Sequence, residues 1–169
     1  TCRLIDRPLR PSFPESYRNE THVVVTVMSA DQNNPHDVLA INAASAALML
    51  SGMPFEGPIG AVRIAWGADG TWIPFPTYDE GDESAFEMVV AGRLSDDGDV
   101  AVMMVEAGGT DAGCDLYEAG TPKVDEAVLA GGLDAAKTWI RESIELQKEL
   151  VAAHEQAHGP IEPITYTLG

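Results

Sequence analysis

Ala61-Val62-Arg63-Ile64-Ala65-Trp66-Gly67-Ala68-Asp69-Gly70-Thr71-Trp72-Ile73-Pro74-Phe75 is an apolar run, a turn and a second apolar run. Ala68-Asp69-Gly70 supplies the turn, so residues 61–66 and 71–75 are expected to pair as an antiparallel hairpin. A second hairpin is expected downstream, from Phe86–Ala91 through Asp96-Asp97-Gly98-Asp99 into Val100–Val105. Strands joined directly to one another argue against a doubly wound parallel sheet, whose strands alternate with helices. Neither G-x-G-x-x-G nor a phosphate-loop pattern occurs. The expected class is α+β, a mixed sheet with packed helices.

Upstream of the first hairpin, Thr21–Ser29 (THVVVTVMS) is rich in β-branched residues and is expected to form a strand buried on both faces. After a turn at Asp31–Pro35, the pattern becomes helical from His36 or Asp37 to Leu50. Val38, Ile41, Ala44 or Ser45, and Leu48 share one stripe. The small run Ala43–Ala47 lets such a helix lie close to a sheet, with Gly52 as its C-cap and Pro54 as its stop. Residues Thr1 to Arg7 suit the tail of a helix, and Pro8, Pro11 and Pro14 predict an extended path beyond it. Downstream, Gly108–Gly120 is glycine-rich and expected to be loop. Thr121 and Pro122 are expected to start a helix running toward Ala157, with Gly131-Gly132 as a weak point and Ile140, Ile144, Leu146 and Leu150 as a partial apolar stripe. The division expected is a core at 1–120, its closing helix at 121–158 and a tail at 159–169.

The 169 residues fit one domain, and 45% hydrophobic content is enough for a real core. No apolar run approaches the length of a membrane span. The chain opens at Thr1 with no basic-then-apolar leader and reads as a piece of a longer protein. Cys2 and Cys114 are too few for a disulfide framework and fit reduced cytosolic thiols, so the expected location is cytoplasmic. A net charge of -17 argues against nucleic-acid binding by the chain as a whole. The distribution is uneven, however. Four of the ten basic residues, Arg3, Arg7, Arg10 and Arg18, lie in the first 18 positions, whereas eight acids crowd between Asp79 and Asp99. A polyanion would approach through the N-terminal end.

The segment Arg3-Leu4-Ile5-Asp6-Arg7-Pro8-Leu9-Arg10-Pro11 resembles the R-L-I-D-R-P-[IL]-R-P stretch in the first core domain of bacterial polynucleotide phosphorylases. The likeness continues, in order, through Phe13-Pro14-Glu15, Ile41–Leu48, Leu50–Phe55, Gly57–Gly60, Phe75-Pro76-Thr77, Met88–Gly92, Met103–Ala107, Glu126-Ala127-Val128 and Gly132–Lys137, and covers roughly residues 1–155. The resemblance implies two ribonuclease-PH-like cores of the ribosomal-protein-S5-domain-2 type per subunit. A helical linker joins them, and KH and S1 RNA-binding modules follow. It further implies a homotrimeric ring whose channel admits single-stranded RNA. This chain looks like the later part of the first core, truncated at its N-terminal side.

The resemblance also implies phosphate-dependent 3′-to-5′ exoribonuclease and nucleotidyltransferase chemistry in RNA degradation, using inorganic phosphate and Mg²⁺ held by the second core. Where the family's second core has a serine-rich phosphate turn, this chain has Asn33-Asn34-Pro35-His36-Asp37. Where it has metal carboxylates, only Glu87 falls near one. No catalytic or metal-binding residue is therefore expected in this segment, whose role would be to build the ring and line the RNA channel. Arg3, Arg7 and Arg10 are the candidate RNA or anion contacts. They could equally pair with Asp6, Glu15, Glu20 or carboxylates at a subunit contact. The acids of Asp79–Asp99 suit a solvated loop and turn, His36 a helix start, His154 and His158 an exposed helix face, and Cys114 has no base beside it. The alternative reading is a non-catalytic acidic scaffold without RNA contact. On either reading, Val23–Val27 is expected to be an exposed apolar liability of the chain alone.

Overall fold

The computed structural model describes residues 2–166. Four strands form one sheet: β1 (Gly60–Trp66), β2 (Trp72–Pro74), β3 (Phe86–Leu94) and β4 (Val100–Gly109), in the order β2-β1-β3-β4. Every pairing is antiparallel. Trp66 pairs with Trp72 across the first hairpin, and Gly60–Trp66 runs opposite Gly92–Phe86. The α+β class holds, as does the hairpin reading of residues 61–75 and 86–105, the second hairpin extending further to Gly109. The mixed sheet does not: among the described residues it has no parallel pair. The one segment that a helix crossover could have brought in parallel is Thr21–Ser29, and it joins no ladder. Instead it runs as exposed irregular chain, with Val24 84% and Met28 89% exposed.

Helices cover both faces of the sheet. Successive side chains of a strand point to opposite faces. Ala61, Val89 and Ala91 accordingly meet Val38, Ile41, Ala44 and Leu48 of α2 (Asp37–Leu50) and Leu9 of α1 (Cys2–Leu9). Val62, Ile64, Met88 and Val90 meet Ala136, Ile140 and Ile144 of α5 (Glu126–His158). The stripe read from residues 38–48 is the buried face of α2. Asn42 seals the edge of β1 beyond the short β2: its side-chain amide accepts from Ala61 N at 2.8 Å and donates to Ala61 O at 3.1 Å.

Four local expectations need correction. First, α1 continues through Pro8 into a 3-10 turn at Arg10–Ser12, so no extended path begins at Pro8. Pro8 forfeits one ladder bond near the helix end, and its burial together with Leu9 holds the turn in place. Second, Gly108–Gly120 is only partly loop: β4 reaches Gly109, and α4 (Gly113–Ala119) follows, closed by Gly120 at φ 108. Third, α5 begins at Glu126. Thr121 donates its N–H to Leu116 O at 3.0 Å and Pro122 O accepts from the Trp66 indole at 2.8 Å, which ties both residues to other elements. The cap is Asp125, whose carboxylate accepts from Val128 N at 2.9 Å. Fourth, Leu146 and Leu150 are exposed, and Gln147 continues the buried stripe, donating to Ile59 O at 2.8 Å.

α5 runs unbroken through Gly131-Gly132, and Gly132 lies tightly against the sheet. A Cβ there would lie 2.4 Å from Met88 Cε and 2.6 Å from the Trp72 ring. The chain then turns back at Gly159: Ile164 N donates to Gly52 O at 2.8 Å, and Tyr166 meets the edge of Tyr17 with centroids 5.3 Å apart. Thr1 and residues 167–169, at the two ends of the expected organisation, lie outside the described residues. No described helix is long and apolar enough to cross a membrane.

Candidate functional site

A cleft of about 1010 Å³ opens beside the start of α2, between α3 (Tyr78–Asp82) and the end of β4. Arg63 lies in it. An arginine in the otherwise apolar strand Gly60–Trp66 needs partners for its charge, and Arg63 has two. Its Nη2 donates to Asp37 Oδ2, and its Nη1 to Glu87 Oε2 at 2.7 Å. Asp37 comes from the first residue of α2. Glu87 comes from β3, where it stands opposite Ala65, diagonal to Arg63 on the same face of the sheet. Burial opposes the charge of Arg63. The hydrogen bonds and attraction of Asp37 and Glu87 outweigh it and raise the guanidinium pKa above its ordinary value. Arg63 Nε is buried without a partner.

Asn33–Asp37 leads into α2 over this cleft. His36 occupies the cap position, exposed and with no side-chain capping bond, and the Asp37 carboxylate accepts from Val38 N at 2.8 Å. An anion favoured at this helix start is thus already supplied by the chain itself.

α1 places Arg3 and Arg7 at i and i+4, on one flank, and Arg10 follows in the 3-10 turn. Arg7 pairs with Glu106 of β4 at the rim of the cleft. Arg10 grips Asp6 through Nε at 3.0 Å and Nη2 at 2.7 Å; the Asp6 hydrogen bond raises the Arg10 pKa. Arg3 is exposed and makes no ion pair among the described residues.

The acids of Asp79–Asp99 do not converge. Asp79 and Glu80 start α3, where Thr77 and Glu80 form a capping box. Asp96, Asp97 and Asp99 lie in the β3–β4 turn, and Asp99 reaches Lys137 at 3.0 Å and Arg141 at 3.6 Å on α5. Glu87 alone turns inward. His154 and His158 lie with ring centroids 4.8 Å apart, tilted by 44°, and Cys2 and Cys114 are free and exposed. Among the described residues, no three His, Cys, Asp or Glu side chains gather as a metal would require. The residues therefore do not fit a divalent cation as they stand, since the carboxylates best placed for one both hold Arg63. Sequence reasoning missed this Asp37–Arg63–Glu87 cluster; the available signal was the single charge inside an apolar strand.

The sequence profile of the 3′ exoribonuclease family, domain 1, matches residues 1–54. The polyribonucleotide nucleotidyltransferase of Acidothermus cellulolyticus is 57% identical over 152 residues, covering 90% of this chain and 19% of that relative. Its counterpart from a Nocardioides species is 54% identical over 150 residues, 89% of this chain and 20% of the relative. That of Mycobacterium tuberculosis is 52% identical over 160 residues, 95% of this chain and 21% of the relative. The chain spans about a fifth of the length of the curated relatives it matches. With its helix-covered antiparallel sheet, the chain is similar over about nine-tenths of its length to one segment of the polyribonucleotide nucleotidyltransferases.

Proposed function

We propose that this chain is the non-catalytic core of a phosphate-dependent 3′-to-5′ exoribonuclease, and that it builds a homotrimeric ring and lines a channel for single-stranded RNA. The observation that carries this reading is the Asp37–Arg63–Glu87 cluster. In the cleft of this core the helix start is supplied with a carboxylate, and the two inward carboxylates with a guanidinium, so none of these groups is left free for inorganic phosphate or Mg²⁺. Phosphate and Mg²⁺ belong to another core of the longer enzyme, which works in the cytoplasm. The segment divides into a core at 1–120, a closing stretch at 121–158 whose helix starts at Glu126, and a tail at 159–169. RNA approaches along α1, where Arg3 is the exposed cation and Arg7 and Arg10 exchange Glu106 and Asp6 for phosphate oxygens.

A second reading, an acidic scaffold that does not touch RNA, is favoured by those same pairings and by the charge of -17. Two measurements separate the readings. RNA phosphorolysis with Mg²⁺ and inorganic phosphate is expected from a full-length enzyme carrying this segment and not from the chain alone; activity of the chain alone refutes the silent core. Replacing Arg3 and Arg7 by Ala in that enzyme is expected to weaken RNA binding and flatten its salt dependence. Unchanged binding and slope refute the RNA contact and leave the scaffold.

A further inference from the structure

Arg63 lies in the cleft between carboxylates from two different elements, and all three side chains are more than half buried, at 21%, 16% and 25% exposure for Arg63, Asp37 and Glu87. Two inward-turned carboxylates in a water-accessible cleft repel one another and need a positive charge between them. Mg²⁺ and Mn²⁺ are hard cations that bind oxygen, and Mg²⁺ commonly keeps several waters while held by only one or two carboxylates. A cleft of about 1010 Å³, open past Thr77, Asp82 and Thr110, has room for such a hydrated ion. The position is filled instead by a guanidinium delivered from the middle of β1. Its third nitrogen donor, Nε, is buried and unpartnered, so not every donor of the fork has found an acceptor among the side chains around it.

We propose that Arg63 is a resident cation: its guanidinium occupies the place between Asp37 and Glu87 that a hydrated divalent metal ion would take, and so keeps this core free of metal. The inference rests on the reading of the core as catalytically silent and names the residue that keeps it so. Removing the guanidinium while keeping the apolar stem turns the cleft into a Mg²⁺- or Mn²⁺-binding site.

The test is a count of bound Mn²⁺ by electron paramagnetic resonance on a full-length enzyme carrying this segment, relative to the unsubstituted enzyme. Arg63→Met is expected to add one Mn²⁺ per chain, and Arg63→Met with Glu87→Gln to lose it again. Arg63→Lys, which keeps a positive charge, is expected to add none. An Arg63→Met enzyme of unchanged size and circular dichroism that binds no additional Mn²⁺ overturns the proposal, as does an Arg63→Lys enzyme that admits the ion. Asp37→Asn in the otherwise unsubstituted enzyme tests it independently, in case Arg63→Met does not fold. No change in the Mn²⁺ count is expected, and loss of one ion would mean that the cleft holds metal with Arg63 in place. Phosphorolysis by the chain alone would defeat the silent-core reading without altering these counts, so the two failures are distinguishable.

Discussion

Gly131 and Gly132 are neighbours in the same turn of α5, yet replacing each by Ala is expected to move stability in opposite directions. Gly131 faces open space: a Cβ built there meets nothing within 4 Å. Ala at that position gains the helix-interior preference over Gly, about 0.8–1 kcal/mol, partly by restricting the unfolded chain. Gly132 gains the same preference and loses more. Its Cβ would sit 2.4 Å from Met88 Cε and 2.6 Å from two atoms of the Trp72 ring. The methionine end is free to swing, but the indole is held by Trp66 with centroids 4.9 Å apart. Overpacking of this kind costs about 1–3 kcal/mol. The net expectation is stabilisation by somewhat under 1 kcal/mol for Gly131→Ala and destabilisation by about 0–2 kcal/mol for Gly132→Ala. Urea unfolding followed by tryptophan fluorescence reads both, and Trp72 reports directly on the contact. Stabilisation by Gly132→Ala equal to that by Gly131→Ala would refute the close approach of α5 to the sheet.

Two further outcomes are expected. Hydrogen bonding to Lys137 and to the Val100 backbone holds the Asp99 carboxyl below its usual range, and the Asp99 hydrogen bond raises Lys137. The contribution of Asp99 is therefore present above about pH 4 and is lost as pH falls through its lowered folded value. That of Lys137 is full below about pH 10.4 and is lost as pH rises through its raised folded value. Asp31, accepting from the Asn33 and Asn34 amides, is lowered to about 2. Carboxyl NMR titration checks both acids, and a midpoint in the ordinary carboxylate range for either refutes its contacts. Finally, the exposed apolar segment 21–29 is expected to make the isolated chain self-associate. Val24→Lys with Met28→Glu should lower its light scattering, and a sharp, reversible monomer melt of the unsubstituted chain would refute the expectation.

Hairpins and α2 were legible because their signals are local: a turn between two apolar runs, or a stripe at helical spacing. Thr21–Ser29 shows where locality fails. Its composition is that of a strand, but a strand exists only when a neighbour pairs with it, and no described residue does. Leu146 shows how phase decides burial: from Ile140 and Ile144 the buried face passes to Gln147, one residue further on, because each residue turns the helix by about 100°. Glycine content hid α4, whose helix needs only seven residues between a tight entry and Gly120. The cleft was hardest to read, since Asp37, Arg63 and Glu87 come from three elements and meet only once the sheet is assembled. Arginines 3, 7 and 10 were legible as a cluster, whereas Glu106 as the partner of Arg7 lies 99 positions away.

The edge of β1 at Ala61 is closed by a side chain rather than by a strand, and this gives the molecule a built-in clock. A backbone amide inside a ladder exchanges its hydrogen when strands separate. The Ala61 amide, bonded to Asn42 Oδ1, exchanges whenever α2 lifts from the sheet, even while β1 and β3 remain paired. Its exchange rate, set against that of ladder amides in β3, therefore reads the seating of one helix at one site. Because α2 also carries Asp37, the same rate reports how often the carboxylate leaves the guanidinium that fills the cleft.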